Sequence, residues 1–352
     1  MERLRADLFD YQLPPELIAQ EPLPERDASR LMVLHRESGE IEHRRFTDIA
    51  AYLEAGDCLV LNDTRVIPAR LLGVRAPGGG PVELLLLRRL GGDRWEALAR
   101  PGKRVRPGAV LEFGGGGAQG LCAAVLGAEP DSRRVVRLYV GDAGPGPAVA
   151  AAIARLGRMP TPPYIRRQLQ DPERYQTAYA RHEGSAAAPT AGFHFTPRIL
   201  DRLRAGGVTT AFLTLHVGLG TFRPIRSATL DGHVMHAEDY EVTPEAAAAV
   251  NACRAGGGRT VAVGTTAVRT LESASDERGI LKPGAGATDL FIVPGHRFRA
   301  VDAMLTNFHL PRSTLLVLVC AFAGRERVLA AYDEAVARRY RFYSFGDAML
   351  VL

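Results

Sequence analysis

Between Leu71 and Val140 the chain contains no apolar segment with the length and 3.6-residue spacing that a helix requires. Five short apolar runs stand there instead, Val82 to Leu87, Trp95 to Ala99, Ala109 to Phe113, Leu121 to Leu126 and Val135 to Val140, separated by Gly and Pro. Runs of that length with turn residues between them predict five or six strands closing into a small antiparallel barrel or sandwich. On both sides of this stretch the pattern reverts to helices alternating with strands. Thr47 is placed to cap a short helix through Leu53, and Cys58 to Leu61 is a compact apolar strand. Thr196 and Pro197 have the residue types of an N-cap and first helical position, and Gly206-Gly207 stops that helix. Val208 to Val217 then reads as a strand, Thr243-Pro244 opens a helix that Gly256-Gly257-Gly258 ends, and Thr260 to Val263 is the next strand. Asp289 to Val293 is a further expected strand, followed by a buried helix from Thr314 and a last strand from Ala348 to Leu352. Such alternation predicts a mostly parallel sheet covered on both faces, doubly wound or barrel-like. The expected organisation is therefore a large α/β domain from residues 1–70 and 148–352, interrupted by a small all-β insertion at 71–147. A chain of 352 residues is long enough for both.

The formal charge is only +5. Its distribution is uneven: between Arg70 and Val140 twelve basic side chains face six acidic ones. Arg88, Arg89, Arg100, Lys103, Arg104 and Arg106 belong to that excess, and Arg166 and Arg167 follow soon after. A concentration of this kind suits a polyanion, most simply a nucleic acid, and these eight are the candidate nucleic-acid contacts. The four cysteines are scattered with no C-x-x-C pair, which argues for reduced thiols in the cytoplasm over a disulfide or zinc framework. The first residues lack the apolar core of a signal peptide, and the most apolar run, Leu315 to Ala323, is too short to span a bilayer.

In α/β architectures ligands sit beyond the carboxyl ends of the strands. Four polar clusters occupy such positions: Asn62 to Arg65, His216 to Arg223, Gly264 to Glu272 and Thr306 to His309. A fifth candidate is the loop Gly184 to Pro197, in which small residues surround Thr190 and one imidazole, His194, lies between Phe193 and Phe195. Gly264-Thr265-Thr266 joins a strand to a helix carrying Arg269 and Glu272, a design that suits a carboxylate or ribose hydroxyls, although helix capping also accounts for the threonines. Gly218-Leu219-Gly220 lacks the third glycine of a dinucleotide fingerprint, and neither a phosphate-loop motif nor a G-x-S-x-G elbow occurs. His233, His236 and Glu238, with His194 and His216, leave a metal-dependent hydrolase open as an alternative. A non-catalytic RNA-binding protein is the other.

Leu61 to Arg70, Gly184 to Thr196, Leu215 to Pro224, Val263 to Ser273, Thr288 to Gly295 and Thr306 to Gly324 together resemble the S-adenosylmethionine:tRNA ribosyltransferase-isomerase family of the queuosine pathway. The similarity runs from Asp10-Tyr11 to Met349 in one order; Ala186, Phe193, Asp239 and Ala267 depart from the family pattern. The resemblance implies an α/β domain with an interrupted, barrel-like sheet and a small β-barrel insertion, matching the change of texture above. It implies as activity the transfer and isomerisation of the ribosyl moiety of S-adenosylmethionine onto 7-aminomethyl-7-deazaguanine at the tRNA wobble position. Epoxyqueuosine-tRNA, adenine and methionine are the products. No metal and no obligate protein partner are implied, and the macromolecular partner is tRNA.

That chemistry assigns expected roles. A base is needed at the 5′ carbon next to the sulfonium, and His194 or His216 qualifies because imidazole titrates near neutral pH. Asp63 or Glu272 is the candidate acid for adenine or partner for the ribose hydroxyls. Arg65, Arg223 or Arg269 is expected to grip the methionine carboxylate. Phe193, Phe195 or Phe222 is expected to face the sulfonium, and Thr190, Gly264, Thr265 and Thr266 complete the donor's surroundings.

Overall fold

The structure, a computed structural model, describes residues 4–115, 120–129, 132–141, 146–167, 169–218 and 224–352. In chain order the strands and helices are β1 (Arg30–Leu34), β2 (Ile41–Arg45), β3 (Cys58–Asn62), β4 (Thr64–Val66), β5 (Arg70–Ala76), β6 (Pro81–Gly91), β7 (Arg94–Arg100), β8 (Val110–Phe113), β9 (Leu121–Ala128), β10 (Arg133–Val140) and α1 (Pro147–Leu156). There follow β11 (His182–Ser185), α2 (Pro197–Ala205), β12 (Thr209–Leu215), β13 (Glu238–Val242), α3 (Pro244–Ala255), β14 (Thr260–Val263), α4 (Gly264–Ala274), β15 (Gly284–Thr288), β16 (Ala303–Asn307), α5 (Thr314–Ala323), α6 (Arg325–Ala337) and β17 (Ala348–Val351). They divide into two compact units. The first holds residues to Thr64, Pro162–His182 and Ala188–Leu352; the second holds Arg65–Thr161 and Glu183–Ala187. The second unit thus takes in α1 and the chain to Thr161, beyond the 71–147 span suggested by composition.

The first unit is built on a nine-stranded sheet in the order β15-β13-β12-β3-β14-β16-β17-β1-β2. Its centre, β12-β3-β14-β16, is parallel throughout, with Leu213 opposite Asn62, Val60 opposite Ala262 and Val263 opposite Leu305. Antiparallel pairs flank it, from β12 to β13 and from β16 to β17. Alternate side chains of the buried strands point to opposite faces. Leu59, Leu61, Val261, Val263 and Leu305 pack on one side with Ile199, Leu200 and Leu203 of α2 and with Phe46 and Ile49. Val60, Leu213, Ala262 and Met304 pack on the other with Val268 and Leu271 of α4 and Leu316 and Val319 of α5. Coverage of both faces explains why these strands read as unbroken apolar runs.

Helix starts follow their caps. Thr196 Oγ1 accepts from Ile199 N at 3.4 Å, Thr243 Oγ1 from Ala246 N at 3.2 Å, and Ser313 Oγ from Leu316 N at 3.2 Å. Two local expectations differ from the structure. The turn expected to start at Thr47 is a 3-10 helix over Phe46–Ala51, where the Asp48 carboxylate accepts from Arg45 N at 3.0 Å. The strand expected at 289–293 lies earlier, at β15, because Gly284–Thr288 pairs with β13 and the carbonyl of Leu290 is taken by Arg269 instead.

The second unit contains a closed six-stranded barrel, β10-β7-β6-β5-β8-β9. Leu84, Leu86, Ala97, Ala99, Leu111, Phe113, Ala123, Val136 and Leu138 are buried in it. Gly73 is required where β5 meets β8, since a Cβ there would lie 2.1 Å from the Glu112 carbonyl oxygen.

Candidate active site

Because β12, β3, β14 and β16 run parallel and adjacent, their carboxyl ends share one edge of the sheet. Three of the polar clusters meet the core of the site there, and a fourth frames it. The cavity at this edge is lined by Ala188 to Ala191, Val217, Gly264 to Thr266, Thr306 to Leu310, Ser313, Leu315, Tyr164, Tyr343 and Ser344.

At the end of β14, Gly264 turns the chain directly into α4 with φ +85°, a conformation that a side chain would strain. No side chain caps α4, so its first N–H groups and partial positive charge are left facing the cavity wall formed by Thr265 and Thr266. Thr266 Oγ1 is buried without a hydrogen-bond partner among the described residues. An open helix N-terminus beside an unpaired hydroxyl fits a carboxylate-bearing ligand with further polar groups.

The end of β16 supplies Asn307 and His309. Thr190 Oγ1 donates to Asn307 Oδ1 at 2.8 Å, and Asn307 Nδ2 donates to His194 Nε2 at 3.2 Å. His194 Nδ1 meets Ser29 Oγ at 2.8 Å. His194 itself stands behind Asn307 and does not line the cavity; burial, with Arg341 and Arg26 nearby, pulls its pKa down to about 3. Phe193 stacks on Phe345 and packs edge-on to Tyr175, while Phe195 is a core residue packed on Phe46. Both phenylalanines also stand away from the cavity wall. His309 Nε2 pairs with Thr306 Oγ1 at 2.6 Å, and burial lowers its pKa too.

The end of β3 organises the end of β12 residue by residue. Asn62 Nδ2 donates to Leu215 O at 3.0 Å and its Oδ1 accepts from Leu215 N at 3.1 Å. Thr214 Oγ1 donates to Asp63 Oδ1 at 2.8 Å, and Thr64 Oγ1 pairs with His216 Nδ1 at 2.8 Å. His216 is half-buried, and burial lowers its pKa against the opposing pull of Asp239. Burial raises the pKa of Asp63, countered in part by its Thr214 hydrogen bond.

Other expected site residues are engaged elsewhere. Arg269 is buried in α4 and pairs with Glu238, while its remaining donors reach Leu290 O and Thr288 O, both at 3.1 Å. Glu238 Oε1 in turn accepts from Gly218 N at 2.7 Å. Glu272 anchors the 296–300 loop, accepting from Arg299 N and Ala300 N at 3.0 Å each. Neither Arg269 nor Glu272 reaches the cavity. Arg65 belongs to the second unit. Arg223 and Phe222 lie outside the described residues. Among the described residues no three His, Cys, Asp or Glu side chains gather as a metal site, and the His233 ring packs on Phe291 at 5.3 Å. Asn307 and His309 belong to the Thr306 to His309 cluster, which the sequence marks without assigning either residue a role, whereas no sequence signal marks Tyr164 or Ser344.

In the second unit Arg100, Lys103, Arg104 and Arg106 are exposed. Buried Arg134 holds the turn that carries the last three by donating to Val105 O and Gly102 O at 2.5 Å each. Arg89 is shared with Asp93 at 3.7 Å and Arg88 with Glu96 at 4.0 Å. In the first unit Arg166 is exposed and Arg167 pairs with Glu21 at 3.0 Å. Among the described residues, no helix is long and apolar enough to cross a membrane.

Comparison with known proteins agrees along the whole chain. The S-adenosylmethionine:tRNA ribosyltransferase-isomerase of Anaeromyxobacter sp. (strain Fw109-5) is 60% identical over 353 residues, covering 99% of each chain. That of Symbiobacterium thermophilum is 58% identical over 349 residues, 99% of this chain and 100% of the other. A crystal structure of S-adenosylmethionine tRNA ribosyltransferase from Thermotoga maritima is similar over 98% of this chain and 100% of its own, with 43% identity and a TM-score of 0.56. A family model described as queuosine biosynthesis protein matches residues 6–351, so the chain, with its strand-end cavity and its β-barrel unit, belongs to the queuosine biosynthesis protein family.

Proposed function

We propose that this chain transfers and isomerises the ribosyl moiety of S-adenosylmethionine onto 7-aminomethyl-7-deazaguanine at the wobble position of tRNA. Adenine and methionine are released and epoxyqueuosine remains in the tRNA. The observation that carries this is end-to-end identity of 58% to 60% with proteins bearing that activity's name. The cavity supports it: α4 offers its N-terminus to the methionine carboxylate, and the Thr266 hydroxyl has a bonding capacity that a polar ligand would satisfy.

His216, like His194, does not itself line the cavity, but it adjoins Val217, which does, and is the favoured base of the two. When Thr64 Oγ1 donates to the His182 carbonyl at 3.4 Å it accepts from His216 Nδ1–H, which leaves Nε2 free to take a proton. Removal of the 5′ proton beside the sulfonium gives an ylide whose electrons expel adenine, and Asp63, held protonatable by burial at the end of the neighbouring strand β3, is the acid. The tRNA amine then attacks, and a ribose oxygen displaces methionine. His216→Ala is expected to slow adenine release in single-turnover assays about a hundredfold or more. An unchanged rate would remove His216 from this role. Since the base must be neutral, the acid limb of kcat/KM should lie below the ordinary imidazole value of about 6.5.

The exposed turn at Lys103, Arg104 and Arg106 is the proposed grip on RNA phosphates, with Arg88, Arg89, Arg100, Arg166 and Arg167 as further contacts. The wobble base would be splayed from its single-stranded loop into the cavity. Reversing charge at Arg104 and Arg106 should weaken tRNA binding and lower the salt slope by about one for each phosphate that the turn ceases to neutralise. Equal affinity and slope in filter-binding titrations would exclude the turn. The enzyme is assigned to the cytoplasm, where its four unpaired cysteines remain reduced. It needs neither metal nor obligate protein partner. The activity is tested by incubation with S-adenosylmethionine and precursor-bearing tRNA: free adenine is expected, even with chelator present. Binding of tRNA without adenine release would favour a non-catalytic protein.

A further inference from the structure

Resting on S-adenosylmethionine as the ligand of this cavity, we propose that His194 is a positioning residue that sets the hydrogen-bond polarity of Thr190. Thr190 Oγ1 then accepts a hydrogen bond from the donor substrate, through a ribose hydroxyl or the α-ammonium.

Four residues from three separate parts of the chain form one line: Ser29, His194, Asn307 and Thr190. Only the last two line the cavity. An asparagine amide has a donor end and an acceptor end, so one neighbour that can only donate or only accept fixes its orientation. Asn307 Nδ2 faces His194 Nε2 at 3.2 Å, so that nitrogen must carry a lone pair. A neutral imidazole then bears its proton on Nδ1 and gives it to Ser29 Oγ at 2.8 Å. Asn307 Oδ1 is consequently turned to Thr190 and takes its hydroxyl proton at 2.8 Å. A hydroxyl that has given its proton away presents only lone pairs to a ligand.

The reversed line has a different consequence. With the proton on Nε2, the amide would flip, its NH₂ would donate to Thr190, and Thr190 would present a hydrogen to the cavity. The buried imidazole therefore selects what the cavity wall can recognise without touching the ligand. Burial keeps His194 neutral, so the selection holds across the physiological range.

The polarity is read directly from ¹⁵N spectra of histidine-labelled free protein. At neutral pH the His194 Nδ1 should be protonated and Nε2 bare; a protonated Nε2 overturns the proposal. Affinity for S-adenosylmethionine, measured by calorimetry, provides the second test. Thr190→Val should weaken binding about tenfold, the scale of one hydrogen bond, and His194→Leu about as much. His194→Gln, whose amide can accept from Asn307 and donate to Ser29, should recover most of the loss and keep the wild-type pH profile of adenine release. The double variant Thr190→Val/His194→Leu should bind no more weakly than Thr190→Val alone, because His194 acts through Thr190. Additive losses would show that His194 acts otherwise. Intact binding with lost adenine release in His194→Gln would instead make it the base.

Analogues lacking the 2′-hydroxyl, the 3′-hydroxyl or the α-amine identify the donor as the one for which Thr190→Val makes no difference. A uniform loss over all three means that Thr190 contacts none of them and overturns the assignment. Failure of the wild-type protein to bind S-adenosylmethionine would remove the ligand on which the proposal rests, while the ¹⁵N spectrum still decides the polarity of the line.

Discussion

As pH falls from 6.5 towards 3, folding stability should drop by about 1.4 kcal/mol per pH unit on account of His194 alone. In the unfolded chain this imidazole titrates near its ordinary value of about 6.5; in the fold it titrates at about 3. Between those values the unfolded state binds a proton that the native state refuses, so the stabilisation present above 6.5 is progressively lost. Over the full interval the loss is roughly 4 to 5 kcal/mol, a large fraction of a typical folding free energy. The physical cause is desolvation first, then the repulsion of Arg341 and Arg26. His309 shifts in the same direction, also to about 3. It lines the open cavity, however, where solvent reaches the site, so its share should be smaller. Asp63 acts with the opposite sign: its pKa is raised by burial, so its contribution is present in acid and is lost as pH rises through the folded value. Urea midpoints recorded from pH 7 to pH 4 should show the slope, and His194→Gln should reduce it by about one proton. A slope identical in wild type and variant would contradict the assignment of His194 as a buried neutral group.

Arg269→Met should destabilise the protein by about 3 to 5 kcal/mol, the scale found when one partner of a buried ion pair is removed. Glu238 would be left with a charge at 4% exposure and without its main counterion. The substitution also frees the carbonyls of Thr288 and Leu290, which have Arg269 as a donor. Because Glu238 holds Gly218 N, the damage should extend to the end of β12, and adenine release should fall along with stability. Pairing the change with Glu238→Leu should recover much of the stability, since two apolar groups replace two charges, but not the hold on Gly218. If the single and double variants have the same denaturation midpoint, the ion pair is not what makes Arg269 necessary.

Glu238 and Arg269 also illustrate what a linear reading misses. In sequence, Glu238 stands two residues after His236, which suggests a metal ligand, and Arg269 follows a Gly-Thr-Thr turn, which suggests a carboxylate clamp. Folding places them against each other. Their positions lie 31 residues apart in the chain, and no local spacing encodes that pairing. Glu272 is similar, because its partners are the backbone N–H groups of Arg299 and Ala300, which every residue type except proline possesses. The Asp289 to Val293 run has the apolar character of a strand, but strand formation needs a neighbour to pair with, and β13 pairs with Gly284–Thr288.

By itself the sequence determined the features that depend on neighbouring residues and on periodicity. These are the unit of short antiparallel strands within an α/β chain, the capped starts of α2 and α3, the strands that end in polar clusters, and the family to which those clusters belong. Tertiary structure decided which polar residues face the cavity and which hold the fold. Thr190, Gly264, Thr265 and Thr266 reach the wall, whereas His194, Phe195, Arg269 and Glu272 are enclosed behind it. The reason is physical: a side chain's solvation and hydrogen-bond partners are set by whatever packs around it, and in this fold those neighbours come from distant segments, as Ser29 and His194, 165 residues apart, show.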